Sequence, residues 1–118
     1  MRHKKKKLTI GRLVGPRKAL VRTLAMSLIE NGSVTTTPTK ARALQQFVEP
    51  LITTGKAGGM NAIRLVEKKL GNKLAAMQVV NRLSPRFQNR PGGYTTTMKV
   101  PLRKGDGAEQ TKVSFVIE

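Results

Sequence analysis

The sequence contains no cysteine and no tryptophan, and only one histidine, one tyrosine and three phenylalanines among 118 residues. Without cysteine there are no disulfides and no thiolate metal sites. A lone His3 cannot assemble a zinc-type cluster, so no metal is expected. Aromatics at 3% are too few for a platform that stacks single-stranded bases. Acids are sparse too: Glu30, Glu49, Glu67, Asp106, Glu109 and Glu118. No two of them are spaced like a catalytic dyad. Neither a Gly-x-Ser-x-Gly nucleophile turn nor a phosphate-cradling Gly-x-x-x-x-Gly-Lys is present. The serines have no histidine but His3 to activate them, so an enzyme, a cofactor and a small-molecule substrate are not expected. No apolar run approaches membrane-spanning length. Leu8 to Arg12 is too short and interrupted to be the apolar core of a signal peptide. The expectation is a soluble protein of the cytoplasm or of an organelle matrix, with no membrane partner.

What the chain has in excess is positive charge. Lys+Arg is 23 against Asp+Glu 6, a net charge of +17 with a pI near 11.5. Few soluble monomers carry that imbalance without a polyanionic partner. The charge is densest at the start, where Arg2, His3, Lys4, Lys5, Lys6, Lys7 and Arg12 precede the first acid, Glu30. Like charges repel and bury no apolar surface, so this arm, residues 1–15, is expected to order only against dense negative charge. A nucleic-acid backbone supplies it. Residues 16–118 are expected to form a single globular domain.

The first helix is expected from Pro16 to Asn31, since proline suits the first helical position. Leu20, Leu24 and Leu28, with Val21, Ala25 and Ile29, form its apolar stripe. Arg17, Lys18 and Arg22 lie at the edge of that stripe and extend the cationic surface. Ser33 to Thr37 reads as a strand. Thr37 then caps a helix opened by Pro38, with Ala41, Leu44, Phe47, Val48, Leu51 and Ile52 inward, a kink at Pro50 and a stop at Gly55. Asn61 to Leu70 is a third helix, with Ile63, Val66 and Leu70 on one face. Lys73 to Leu83 is a fourth, with Met77, Val80 and Leu83 toward the core.

Ser84 to Tyr94 is a proline- and glycine-rich loop in which Arg86 and Arg90 could reach phosphates while Phe87 packs inward. From Tyr94 to Leu102, Thr96, Met98, Val100 and Leu102 point one way, and Thr97, Lys99, Pro101 and Arg103 the other. Such alternation marks a half-buried strand. Lys104-Gly105-Asp106-Gly107 turns it into a second strand, whose Thr111, Val113, Phe115 and Ile117 face inward. The fold class is therefore α/β in the α+β sense. Its order is helix, strand, three helices, two strands, with a small mixed sheet covered by helices on one face.

Three stretches together resemble one family. The chain starts Met1-Arg2-His3 and contains Arg17-Lys18-Ala19-Leu20 and Leu24-Ala25-Met26-Ser27-Leu28-Ile29. Thr36-Thr37, Lys40-Ala41-Arg42 and Val48-Glu49-Pro50-Leu51-Ile52-Thr53 follow. Pro85-Arg86-Phe87, Gly92-Gly93-Tyr94-Thr95 and Arg103-Lys104-Gly105-Asp106 complete the set. The combination resembles protein seventeen of the large ribosomal subunit, in its bacterial form, from end to end. That resemblance implies a two-layer α/β domain that binds large-subunit ribosomal RNA (rRNA) without catalysis. It implies a place near the nascent-chain exit beside other large-subunit proteins, as part of a ribonucleoprotein serving translation. It also implies a basic N-terminus that enters the RNA. The sequence departs from the family at Leu13-Val14-Gly15-Pro16, where small polar residues and a histidine are usual. Arg42 replaces a lysine, and Thr96 stands where an arginine commonly follows Gly-Tyr-Thr.

The expected RNA-binding set is thus the arm cations with Arg17, Lys18, Arg22, Lys40, Arg42, Arg86, Arg90, Lys99, Arg103 and Lys104. The alternative is a basic architectural or regulatory DNA-binding protein. Its recognition helix would be Lys73 to Leu83, which offers only Gln78, Asn81 and Arg82 to a groove.

Overall fold

The computed structural model describes residues 14–116. The arm cations and Ile117 lie outside that range. Helix α1 runs Val14–Asn31, strand β1 Ser33–Thr36, α2 Pro38–Gly55 and α3 Gly59–Leu70. A continuous helical run follows, with α4 at Lys73–Gln78, a π-helical turn at Val79–Leu83 and α5 at Ser84–Arg86. Strands β2, Thr95–Val100, and β3, Gln110–Phe115, close the fold. The order is the expected one. Helix α1 begins two residues earlier than Pro16. The fourth helical run extends into the stretch expected to be loop.

The strand order is β1-β3-β2, and both pairings are antiparallel. The sheet is therefore antiparallel throughout, where a mixed one was expected. The reason is the central place of β3. Its Thr111, Val113 and Phe115 carry the apolar face, so both other strands flank it. Had β1 paired with β2 instead, the two would run parallel. Helices cover one face, where Val113 and Phe115 join Leu28, Leu44, Val48, Ile52, Val66, Val80 and Phe87 in one core.

Alternation in β2 is real, but the side carrying Thr97 and Lys99 faces the helices. Thr95 pairs with Phe115, Thr97 with Val113 and Lys99 with Thr111. Paired residues share a face, so Met98 lies on the open face and is 65% exposed. An edge strand running past its helices has little burial to enforce its apolar side.

Met77 is also exposed, although Val80 and Leu83 are buried as expected. The π turn inserts one residue into the helical phase. That moves Ala76 into the core position and turns Met77 outward. Within α2, the chain continues through Pro50 to Gly55. The helix ends at Gly55 as expected, and Gly55 is buried and also required there for close approach. A Cβ there would overlap Ser84 Oγ, which donates to Ile52 O at 3.0 Å. Gly55→Ala should therefore push the π segment off α2 and cost about 1–3 kcal/mol. A thermal melt checks this; an unchanged midpoint would show that the two helices can separate freely here.

Candidate nucleic-acid interface

Cations occupy the starts of the helices. Arg17 and Lys18 lie in the opening turns of α1, and Lys40 and Arg42 in those of α2, with no acid in either first turn. A helix N-terminus carries partial positive charge, so cations there oppose the helix's own field. They do not serve helix stability. Lys18 and Arg42 are exposed, while Arg17 and Lys40 are half-buried.

The register brings a second group to α2. Thr36, Thr111 and Lys99 form one row across the three strands. Lys99 therefore lies two strand spacings, about 10 Å, from the end of β1, where α2 begins. The β2–β3 turn at this end of the sheet carries Arg103 and Lys104. Lys40, Arg42, Lys99, Arg103 and Lys104 thus gather at one end of the domain. Arg103 is partly neutralised: its Nε donates to Asp106 Oδ1 at 3.1 Å. The Arg103 guanidinium, with the Ala108 N–H, holds the Asp106 carboxyl down at about 2. The pair survives until the pH falls toward that value, so Lys104 and Lys99 are the freer charges.

Two predicted contact residues have structural work to do. Arg22 Nε donates to Lys69 O at 2.8 Å, satisfying a carbonyl in the last turn of α3. Arg90 Nε donates to Gly92 O at 3.1 Å and Gly93 O at 3.0 Å. The Arg90 carbonyl accepts from Lys56 Nζ, which also sits 4.7 Å above the Tyr94 ring. Bonding from Lys56, then from Thr53, holds the Tyr94 hydroxyl below its ordinary pKa. Arg90 therefore fixes the course of its own loop. Arg90→Ala should lower stability by about 1 kcal/mol. Arg86→Ala, whose side chain is exposed, should leave the melting midpoint nearly unchanged. Equal midpoints for the two variants would contradict this division of roles.

Glu49 has a placing role of its own. Its Oε2 accepts from Thr95 Oγ1 at 2.7 Å and from Thr95 N at 3.3 Å, pinning the start of β2 to α2. Among the described residues, no group of three or more His, Cys, Asp or Glu could hold a metal ion. No described helix is long and apolar enough to cross a membrane.

Arg82 was left out of the expected RNA-binding set. It sits with Arg86 beside a cleft against the last turn of α1. Its signal in the sequence was the spacing Gln78, Arg82, Arg86. That spacing is hidden in the sequence because Pro85 and the glycines after it make Arg86 read as loop. The candidate DNA-recognition stretch, Lys73 to Leu83, is helical throughout, with its second half in the π turn.

Residues 20–116 match the family model described as Ribosomal protein L17. The chain is 44% identical over 122 residues to the large ribosomal subunit protein bL17 of Nautilia profundicola, covering all of both chains. It is 44% identical over 117 residues to the bL17 protein of Gemmatimonas aurantiaca, covering 99% of each. A third similarity, to the bL17 protein of Bdellovibrio bacteriovorus, is 44% over 114 residues, covering 97% of this chain and 63% of that relative.

Proposed function

The chain belongs to the ribosomal protein L17 family, and from that footing we propose that it is a structural, non-catalytic constituent of the large ribosomal subunit. It works in the cytoplasm, holding large-subunit rRNA beside neighbouring large-subunit proteins near the nascent-chain exit. The observation that carries the RNA-binding part is the placement of its charge. A net +17 includes cations at the starts of α1 and α2, where the helices gain nothing from them. An external polyanion makes that placement favourable.

The contacts are mostly to phosphates and 2′-hydroxyls, and they recognise the shape of the folded RNA. Lys40, Arg42, Lys99 and Lys104 form one such surface, Arg17 and Lys18 a second, and Arg86 a third. The arm cations, Arg2 to Lys7 and Arg12, supply the rest. Arg103 contributes less while paired with Asp106, and Arg22 and Arg90 contribute as far as their structural bonds leave them free.

Equilibrium binding of the full chain to purified large-subunit and small-subunit rRNA across a salt series tests this. Log affinity for the large-subunit RNA should fall linearly with log salt, by about 0.7–0.9 per phosphate contact. Binding should also be tighter there than to small-subunit RNA. Equal affinity for both RNAs and for duplex DNA would overturn the proposal in favour of a non-specific polyanion binder.

A further inference from the structure

Ile29 in the last turn of α1 faces Gln78, Arg82, Leu83 and Arg86 across a cleft of about 430 Å³. The volume is in the range of small-ligand sites. Its apolar floor is Ile29 and Leu83, both buried, and its wall is the row Gln78, Arg82, Arg86. Four residues of a regular α-helix overshoot a full turn by about a tenth, so such a row drifts around the helix. The wider turn at Val79–Leu83 takes up that drift and keeps all three side chains along one wall. Turns of this kind are frequent at functional sites.

Arg86 is also pre-set. Its Cζ lies 5.6 Å from the centroid of Phe87, and Phe87 is fixed by Tyr94 at 5.2 Å and Phe115 at 6.3 Å. The guanidinium sits over the ring, and the Arg86 side chain is exposed. Among the described residues, no acid lines the cleft. Two arginines above an apolar floor suit an occupant that joins a flat apolar body to an anion. A bare phosphate would leave Ile29 and Leu83 without use. An unstacked nucleotide has both parts, and single nucleotides splayed from RNA loops are held by stacking on guanidinium planes and by bonds to their edges.

We propose that this cleft receives one unpaired nucleotide of the large-subunit RNA. The base lies on Ile29 and Leu83 against the exposed Arg86, Gln78 bonds its edge, and Arg82 holds its phosphate. The inference rests on the RNA-binding function proposed above.

The full chain bound to purified large-subunit rRNA tests it. Gln78→Trp fills the cleft and leaves every cation in place. The expected result is a loss of affinity of about tenfold with a salt slope flatter by about one unit, because the Arg82–phosphate contact leaves with the base. One nucleotide, protected from 2′-hydroxyl acylation by the unaltered protein, should become reactive again. Arg82→Ala should lose affinity and also about one unit of slope. Gln78→Ala decides the matter if the tryptophan variant does not melt cooperatively; its expected result is a loss of several-fold at constant slope. Full affinity in both Gln78 variants would overturn the cleft while leaving RNA binding standing. Full affinity in Gln78→Ala beside a flattened slope in Gln78→Trp would put a phosphate alone in the cleft and overturn the base. Failure of the unaltered protein to bind the RNA would overturn the function and the cleft together.

Discussion

Phe87→Ala is expected to remove about 4 kcal/mol of folding free energy, the cost of emptying a fully buried aromatic site. The ring is 1% exposed and sits between Tyr94 and Phe115, with ring centroids 5.2 Å and 6.3 Å away. It joins the end of the helical run to the strands β2 and β3. Truncation leaves a cavity that neither strand can fill without breaking its pairing. For a domain of this size the midpoint should fall by roughly 15–30 °C, a large share of ordinary stability. Thermal and urea denaturation of the full chain measure it. A midpoint within a few degrees of the unaltered protein would mean that the three rings do not hold the sheet to the helices.

Deleting residues 2–12 should do the reverse, leaving stability unchanged and weakening RNA binding. The deletion removes Arg2, Lys4, Lys5, Lys6, Lys7 and Arg12 and no acid. None of the deleted cations belongs to an apolar stripe of the sequence. If half of the deleted cations meet phosphates, the slope of log affinity against log salt should flatten by about two to three units. The loss should be greatest at low salt. Identical slopes for the full-length and shortened chains would make the arm a solvated tail. A fall in melting midpoint would make it part of the folded domain.

Most of the architecture was legible because burial repeats in the sequence. Leu28 with Val21, Ala25 and Ile29, the stripe of α2, and Thr111-Val113-Phe115 all face inward as their spacing indicates. What was not legible depends on contacts between distant residues. Gly55 reads as a helix stop, and its second reason is Ser84, 29 positions on. Which side of β2 faces the helices follows from its pairing with β3, and its own alternation points the other way. The π turn leaves no periodic trace, so Met77 was assigned inward and Arg82 was separated from Arg86.

For the proposed RNA-binding residues, composition and position single out the cations, and geometry divides them. Lys40, Arg42, Lys99 and Lys104 share one end of the sheet because β1, β3 and β2 bring Thr36, Thr111 and Lys99 into a row. Arg22, Arg90 and Arg103 are equally basic in sequence. They differ only because Lys69 O, the Gly92 and Gly93 carbonyls, and Asp106 lie within their reach.

Sedimentation of a tagged copy through a sucrose gradient, after a high-salt wash of the cell extract, tests the central claim most directly. The expected result is co-migration with the large ribosomal subunit that persists through the wash. It should be lost when Arg17, Lys18, Lys40, Arg42, Lys99 and Lys104 are all replaced by Gln in a chain that still melts cooperatively. Recovery of the unaltered protein at the top of the gradient or with chromosomal material would contradict it.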